Sequence, residues 1–288
     1  MLVMKNYPVN QKVLDEQRAI VASFCHDAHV DINIGYSNTV IVAYMGTEKF
    51  VFRFSKDIIN RRLLKQEQEV CRELQNKTSF AIPDIKLLEQ NGHLFTMHKF
   101  IEGETLNNFN KKGMTQQQYM NFCRDCINFI QESRNIHPKD FPQDTQSGIF
   151  TQIETLLDTF HIQKNEELFA LTKELENQEF HFIHGDFNAN NIILKEDGHI
   201  QGIIDFNMSG FSNYHFDLSK LIGYLDDNQT TILLREFHKC TGDEVSPALL
   251  EKIRCLRMMQ EKNIITGELY QQNNIQFAAG HKYEANLI

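Results

Sequence analysis

The chain has 288 residues, enough for one large domain or two modest ones with a buried core. Hydrophobic residues make up 41% of it, and no apolar run approaches the ~18 residues that a membrane span needs. Its formal net charge of −9 is uneven: residues 1–102 carry 13 Lys+Arg and 12 Asp+Glu, and residues 103–288 carry 16 and 26. An acidic second half argues against a nucleic-acid partner and favours a cationic small molecule or a solvated acidic surface. The opening stretch, MLVMKNYPVNQKVLDEQ, lacks the apolar centre and small-residue cleavage site of a signal peptide. Six scattered cysteines suit a reducing compartment, so a cytoplasmic location is expected, with no membrane partner.

In chain order, Val13, Leu14, Ile20, Val21 and Phe24 predict an amphipathic helix within Val9–His26. Ile32–Tyr44, broken by the polar turn Gly35–Thr39, then Gly46-Thr47 and Phe50–Phe54 read as strand, turn, strand, tight turn, strand. Leu63, Leu64, Val70, Cys71 and Leu74 mark the buried stripe of a helix over Ile58–Leu74. Glu67 precedes Val70, Cys71 and Leu74 by three, four and seven residues and falls on that stripe, whereas Glu69 faces away. After Pro83, the runs Ile85–Leu88 and Leu94–Ile101 flank Asn91-Gly92, a hairpin signal.

Past residue 102 the pattern is helical. Tyr119, Phe122, Cys123, Cys126, Ile127 and Ile130 share one face of Met114–Arg134, and the two cysteines read as buried thiols, not zinc ligands. Ile153–Phe160, Glu166–Leu175, Leu218–Leu225, Thr230–Cys240, Pro247–Ile264 and Thr266–Phe277 continue the helices. Asn135–Ser147, with His137-Pro138 and Phe141-Pro142, reads as a loop.

One stretch, Phe180–Asp217, breaks this pattern. Apolar runs Phe180–Ile183, Asn191–Leu194 and Ile200–Ile204 enclose the polar turn His184-Gly185-Asp186 and an Asp197-Gly198 hairpin turn. Asp186, Asn191 and Asp205 therefore fall at the ends of short strands, where side chains converge. That order suits phosphoryl transfer, which needs a carboxylate to take a hydroxyl proton and an amide oxygen and a carboxylate to hold Mg²⁺.

H-G-D-x-x-x-x-N followed by I-D-F resembles the catalytic and metal-binding signature of the aminoglycoside phosphotransferase family, a small-molecule branch of the protein-kinase-like fold. It departs from both protein-kinase motifs, H-R-D-L-x-x-x-N and D-F-G. Gly185 replaces the Arg. Asn207 replaces the Gly of D-F-G, and Asn tolerates a left-handed turn.

The resemblance implies an α+β, two-lobe fold. Residues 1–101 would form a nucleotide-binding lobe with an antiparallel sheet, and residues 102–288 a mostly helical catalytic and acceptor-binding lobe. It implies Asp186 as catalytic base, Asn191 and Asp205 as Mg²⁺ ligands, and His184 and Asp217 as structural supports. Ser37, Asn38, Thr39 and Arg53 would hold the phosphates of ATP or GTP, with Glu67 orienting Arg53. His98, Lys99, Phe100 and Ile101 would be the linker facing the purine, and Gly103-Glu104-Thr105-Leu106 would match the G-x-x-L that opens the second lobe.

The expected activity is transfer of a γ-phosphate to a small-molecule hydroxyl, with a cationic aminoglycoside as one acceptor. Choline, homoserine and methylthioribose kinases are the metabolic alternatives, and an idle binding protein that keeps the fold is another. A protein kinase is disfavoured, because eleven residues between Asp205 and Asp217 are too few for a peptide platform. Neither the acceptor-binding residues nor the oligomeric state is readable.

Overall fold

The computed structural model describes residues 10–34, 38–55, 58–141 and 148–277, with backbone alone for 58–62 and 265–277. It has two lobes of kinase-like architecture. In the smaller, α1 (Gln11–Phe24) leads into β1 (His29–Ile34), β2 (Asn38–Met45) and β3 (Glu48–Ser55). Then come α2 (Ile58–Leu74), β4 (Lys86–Gln90) and β5 (His93–Lys99). The five strands form one antiparallel sheet in the order β1-β2-β3-β5-β4.

Period-two alternation assigns the two faces of that sheet. Phe52 and Phe54 of β3 point with Phe95 of β5 toward Ile20 and Val21 of α1, forming a closed aromatic core. The Phe54 and Phe95 rings stack with centroids 4.9 Å apart. Val51 and Arg53, on the intervening positions, face the opposite way. The hairpin between β4 and β5 turns on Asn91 and Gly92, both at positive φ (54° and 77°), as the Asn-Gly pair requires.

The larger lobe begins at β6 (Glu104–Thr105) and α3 (Leu106–Lys112), then α4 (Gln116–Arg134). Thr115 and Gln118 form a capping box at the start of α4. Cys123 and Cys126 are buried on its inner face, and burial pushes the Cys123 thiol up to about 12. Next come α5 (Ile149–Thr159), α6 (Glu166–Gln178) and the short strands β7 (His181–Ile183), β8 (Ile192–Leu194), β9 (Ile200–Ile203) and β10 (Gly210–Ser212). β8 pairs with β6 and β9, while β7 pairs with β10. The chain closes with α7 (His215–Ile222), α8 (Asp227–Thr241) and α9 (Pro247–Phe277). Phe122, Phe129, Phe182, Phe187, Phe206 and Phe211 sit in the main core of this lobe.

This fold adds α3 and β10, which no expected element covers, and it differs from the sequence reading at the C-terminus and after α4. That reading divides the C-terminal pattern into two helices, but α9 runs unbroken from Pro247 to Phe277. Gly267 alone interrupts the pattern, and one glycine without proline costs a helix only about 1 kcal/mol. Asn135–Ser147 contains a 3₁₀ turn at Pro138–Asp140, and its residues 142–147 lie outside the described residues. Among the described residues, no helix is long and apolar enough to cross a membrane.

Candidate active site

The turn after β7 is fixed from three sides. Asp217, in the first turn of α7, accepts hydrogen bonds from the His184 and Gly185 N–H groups, each 2.8 Å long. It is fully buried. Burial pushes its carboxyl up, and nearby His184 and the two N–H groups work against that shift. His184 Nδ1 accepts from the Asp186 N–H (3.2 Å), which leaves Nε2 to donate to the Ile204 carbonyl at 3.0 Å. The ring thereby ties the turn to the residue preceding Asp205. Arg257 of α9 supplies the third tie, donating to the Gly185 carbonyl at 2.7 Å.

Gly185 is required by this geometry. Its φ is +76°, and a Cβ there would stand 1.9 Å from the Met208 carbonyl oxygen. The left-handed position after β9 is Asp205 (φ 66°, ψ 62°), not Asn207, which lies in a 3₁₀ turn over Phe206–Met208. The expectation of a left-handed Asn207 is corrected accordingly. The sharp bend comes two residues earlier, where Asp205 leaves the strand, and Asp tolerates it nearly as well as Asn.

These turns bring Asp186, Asn191 and Asp205 to the lobe interface. Asn191 Nδ2 donates to the Asp186 carbonyl (2.9 Å) and to Asp186 Oδ2 (3.1 Å), so its amide oxygen is turned elsewhere. Lys220 of α7 lies 3.2 Å from Asp186 Oδ1. Across the cleft, Arg53 Nη1 sits between the two oxygens of Glu67 (2.6 and 2.7 Å), and Nη2 reaches Asp205 Oδ1 at 2.8 Å. Glu67 is fully buried and also accepts from the Phe206 N–H at 3.1 Å. Burial opposes the Arg53 charge, but the two carboxylates outweigh it and hold the guanidinium more firmly protonated than usual. Burial pushes Glu67 up, with Arg53 opposing.

Arg53, Glu67, Asn191 and Asp205 share the walls of one cleft with apolar Val40, Val51, Ile193 and Ile204. His98, Phe100 and Ile101 close its far end. His98 is buried, which lowers its affinity for a proton, and its Nδ1 lies 2.8 Å from the Lys99 carbonyl. The Lys99 side chain turns away to Glu48 (2.7 Å). Ser37 lies outside the described residues. Asn38 and Thr39 are buried at the start of β2, and among the described residues Val40, two positions after Asn38, lines the cleft.

The apolar liners Val40, Ile193 and Ile204 and the basic Lys220 and Arg257 are absent from the sequence-level site. The first three could have been found by extending strand alternation from Arg53 and by reading β8 and β9 inward from Asn191 and Asp205. Lys220 and Arg257 had no motif to mark them.

The donor set suits a hard cation. An amide oxygen from Asn191 and the Asp205 oxygen not engaged by Arg53 are ligands that Mg²⁺ accepts alongside phosphates and water.

A family model described as the phosphotransferase enzyme family matches residues 30–248. The chain belongs to this family. Among solved structures, the GDP complex of wild-type aminoglycoside 2'-phosphotransferase-IIIa is 16% identical, with TM-score 0.63 over 90% of this chain and 92% of that one. The structure titled macrolide 2'-phosphotransferase type I is 13% identical, with TM-score 0.59 over 89% and 91%. Choline kinase LicA from Streptococcus pneumoniae is 17% identical, with TM-score 0.60 over 91% of both. At these identities the phosphotransferase neighbours establish the shared fold. No curated protein sequence matches the chain.

Proposed function

We propose that this phosphotransferase moves the γ-phosphate of ATP or GTP to a hydroxyl of a small molecule, in a cleft between lobes divided at Ile101–Glu102. The observation that carries the reading is the convergence of Asp186, Asn191 and Asp205, from separate turns, opposite the buried Arg53–Glu67 pair. In this reading the nucleotide base lies between Val40 and Ile193, against the linker His98–Ile101. Asn38, Thr39 and Ser37 lie at the phosphate end, and Arg53 binds the phosphates with Glu67 holding it in place. Asn191 and Asp205 would hold Mg²⁺, which when bound neutralises charge on the transferring group.

Asp186 orients the acceptor hydroxyl and takes its proton late, because the transition state for phosphoryl transfer is loose. His184 and Asp217 fix the turn and take no proton from the acceptor. The eleven residues from Phe206 to Phe216 are occupied by a 3₁₀ turn, β10 and the entry to α7, which supports a small acceptor over a peptide.

The neighbours include enzymes named for antibiotics and one named for choline, so the shared fold selects neither a resistance role nor a metabolic one. The acidity of residues 103–288 would draw cations toward this lobe by long-range steering, which is not a specific contact and does not select the acceptor. A cytoplasmic location agrees with a nucleotide donor. The test is Mg²⁺-dependent transfer from ATP and GTP to aminoglycosides, macrolides, choline, homoserine and methylthioribose. Turnover that disappears in Asp186→Asn supports the reading, and turnover that survives in that variant rejects it.

A further inference from the structure

Behind the His184–Asp186 turn lies a second cavity that the nucleotide cleft does not use. It encloses about 180 Å³, slightly more than the ~150 Å³ of an apolar cavity that holds benzene. Its walls come from α5, α6, β7, α7 and α9, together with Met208 and with Gly185, the residue before Asp186. The lining is apolar except for Arg257, Gln260 and Glu261.

Two of those three are already committed. Arg257 donates to the Gly185 and Phe216 carbonyls at 2.7 and 3.1 Å. Gln260 is buried, accepts from the Asn165 N–H at 2.7 Å and donates to the Gln163 carbonyl at 3.2 Å. Glu261 keeps a half-exposed carboxylate, and Lys220 joins it to Asp186, lying 3.2 Å from each. The charged liners are thus Arg257, held by carbonyls, and Glu261, linked through Lys220 to Asp186, and apart from Gln260 the rest of the wall is apolar.

Glu261 is the one carboxylate among the described lining residues, so several ammonium groups buried here would outnumber their partners, which is costly, whereas an apolar body gains with the area it covers. Resting on the phosphotransfer reading above, we infer that the acceptor carries its hydroxyl on an apolar body seated in this cavity. Any polar or charged edge lies at the Lys220–Glu261 rim, so the acceptor is not a polycation. The acidic surface of the lobe still attracts cations, but it does so outside the cavity.

The experiment uses the full chain with alkan-1-ols from ethanol to octanol as probes and kanamycin as the polycationic comparator. Binding is read by titration calorimetry, and transfer by acceptor-dependent release of ADP or GDP. Affinity should tighten about fourfold per methylene until the cavity is full. Ile153→Trp, which fills the cavity from α5, should flatten the series, with its melting temperature checked for folding. Affinity independent of chain length in the unmutated chain would overturn the inference. So would kanamycin binding that exceeds octanol binding and is lost in Ile153→Trp, or phosphate transfer to kanamycin that is faster than to octanol. Failure of the underlying reading has a separate signature, because neither ATP nor GTP would then bind with Mg²⁺, whatever the alcohols do.

Discussion

Arg53 Nη2 lies 2.8 Å from Asp205 Oδ1, joining β3 of the small lobe to the turn after β9 across 152 residues of sequence. The same guanidinium holds Glu67 through Nη1, so one cation spans a buried helix carboxylate and a cleft carboxylate. The lobes are thus tied together through Arg53, and in the proposed function a nucleotide would share that guanidinium with Asp205.

Arg53→Met leaves Glu67 buried without its cation. Breaking a buried pair costs about 3–5 kcal/mol, so a large fall in melting temperature is expected, together with lost ATP and GTP binding. Arg53→Lys should recover part of the stability and little of the binding, since Lys cannot reach both carboxylates in a fork. Thermal melts with and without nucleotide check both outcomes. A melting temperature unchanged in Arg53→Met would show the pair to be unimportant.

Asp186→Asn keeps a side chain able to stay near Lys220 and Asn191 but cannot take a proton. Turnover should fall by about 10²–10⁴, the usual contribution of a general base, with the nucleotide Kd unchanged. Steady-state rates beside calorimetric titrations separate the two effects. A nucleotide Kd that weakens in step with turnover would assign Asp186 to binding instead.

Gly185→Ala combines strain at φ +76° with a Cβ 1.9 Å from the Met208 carbonyl oxygen. The expected loss is about 2 kcal/mol or more, read as an earlier denaturant midpoint. A midpoint matching the parent would mean that the turn can relax.

How far the site could be read from sequence follows from which constraints are local. Arg53 was legible through the family resemblance, as the basic residue of the third strand, and helical spacing then chose Glu67 over Glu69 as its partner on the buried stripe of α2. Asn91-Gly92 and Asp197-Gly198 announced their hairpins through backbone chemistry. Arg257 and Lys220 were not legible. Each reaches the His184–Asp186 turn from a helix remote in sequence, and a basic residue on a helix carries no sign of what it will meet. The left-handed Asp205 was missed because φ there is set by the exit from β9, not by residue preference. The apolar cavity draws its wall from several elements, so no single periodicity reveals it.

The histidines beside Tyr214 give a pH dependence. Burial lowers both His181 and His215 to about 4, with Arg134 contributing to each. Among the described residues the Nε2 of His181 has no hydrogen-bond partner, with Glu179 Oε1 3.9 Å away, and its ring stacks on Tyr214, as the ring of His215 does from its neighbouring position. Between pH 6.5 and 4 the unfolded chain binds more protons than the native one, so this stabilisation is complete above pH 6.5 and drains away as pH falls through that window. At 1.36 kcal/mol per pK unit, each ring contributes up to about 3 kcal/mol. Burial raises Glu176 and Glu179, which act with the opposite sign in acid, so the informative quantity is a difference. Melting temperature should fall less steeply between pH 6.5 and 4 in His215→Gln than in the parent. Parallel curves would rule out the contribution.

The most direct test of the account is calorimetric titration of ATP and GTP into the protein and into Asp205→Ala, with Mg²⁺ and with EDTA. At least one nucleotide should bind only with Mg²⁺, and Asp205→Ala should weaken this binding at least about tenfold, a change of about 1.4 kcal/mol. Nucleotide binding that is absent from the parent protein, or equally strong in Asp205→Ala, would contradict it.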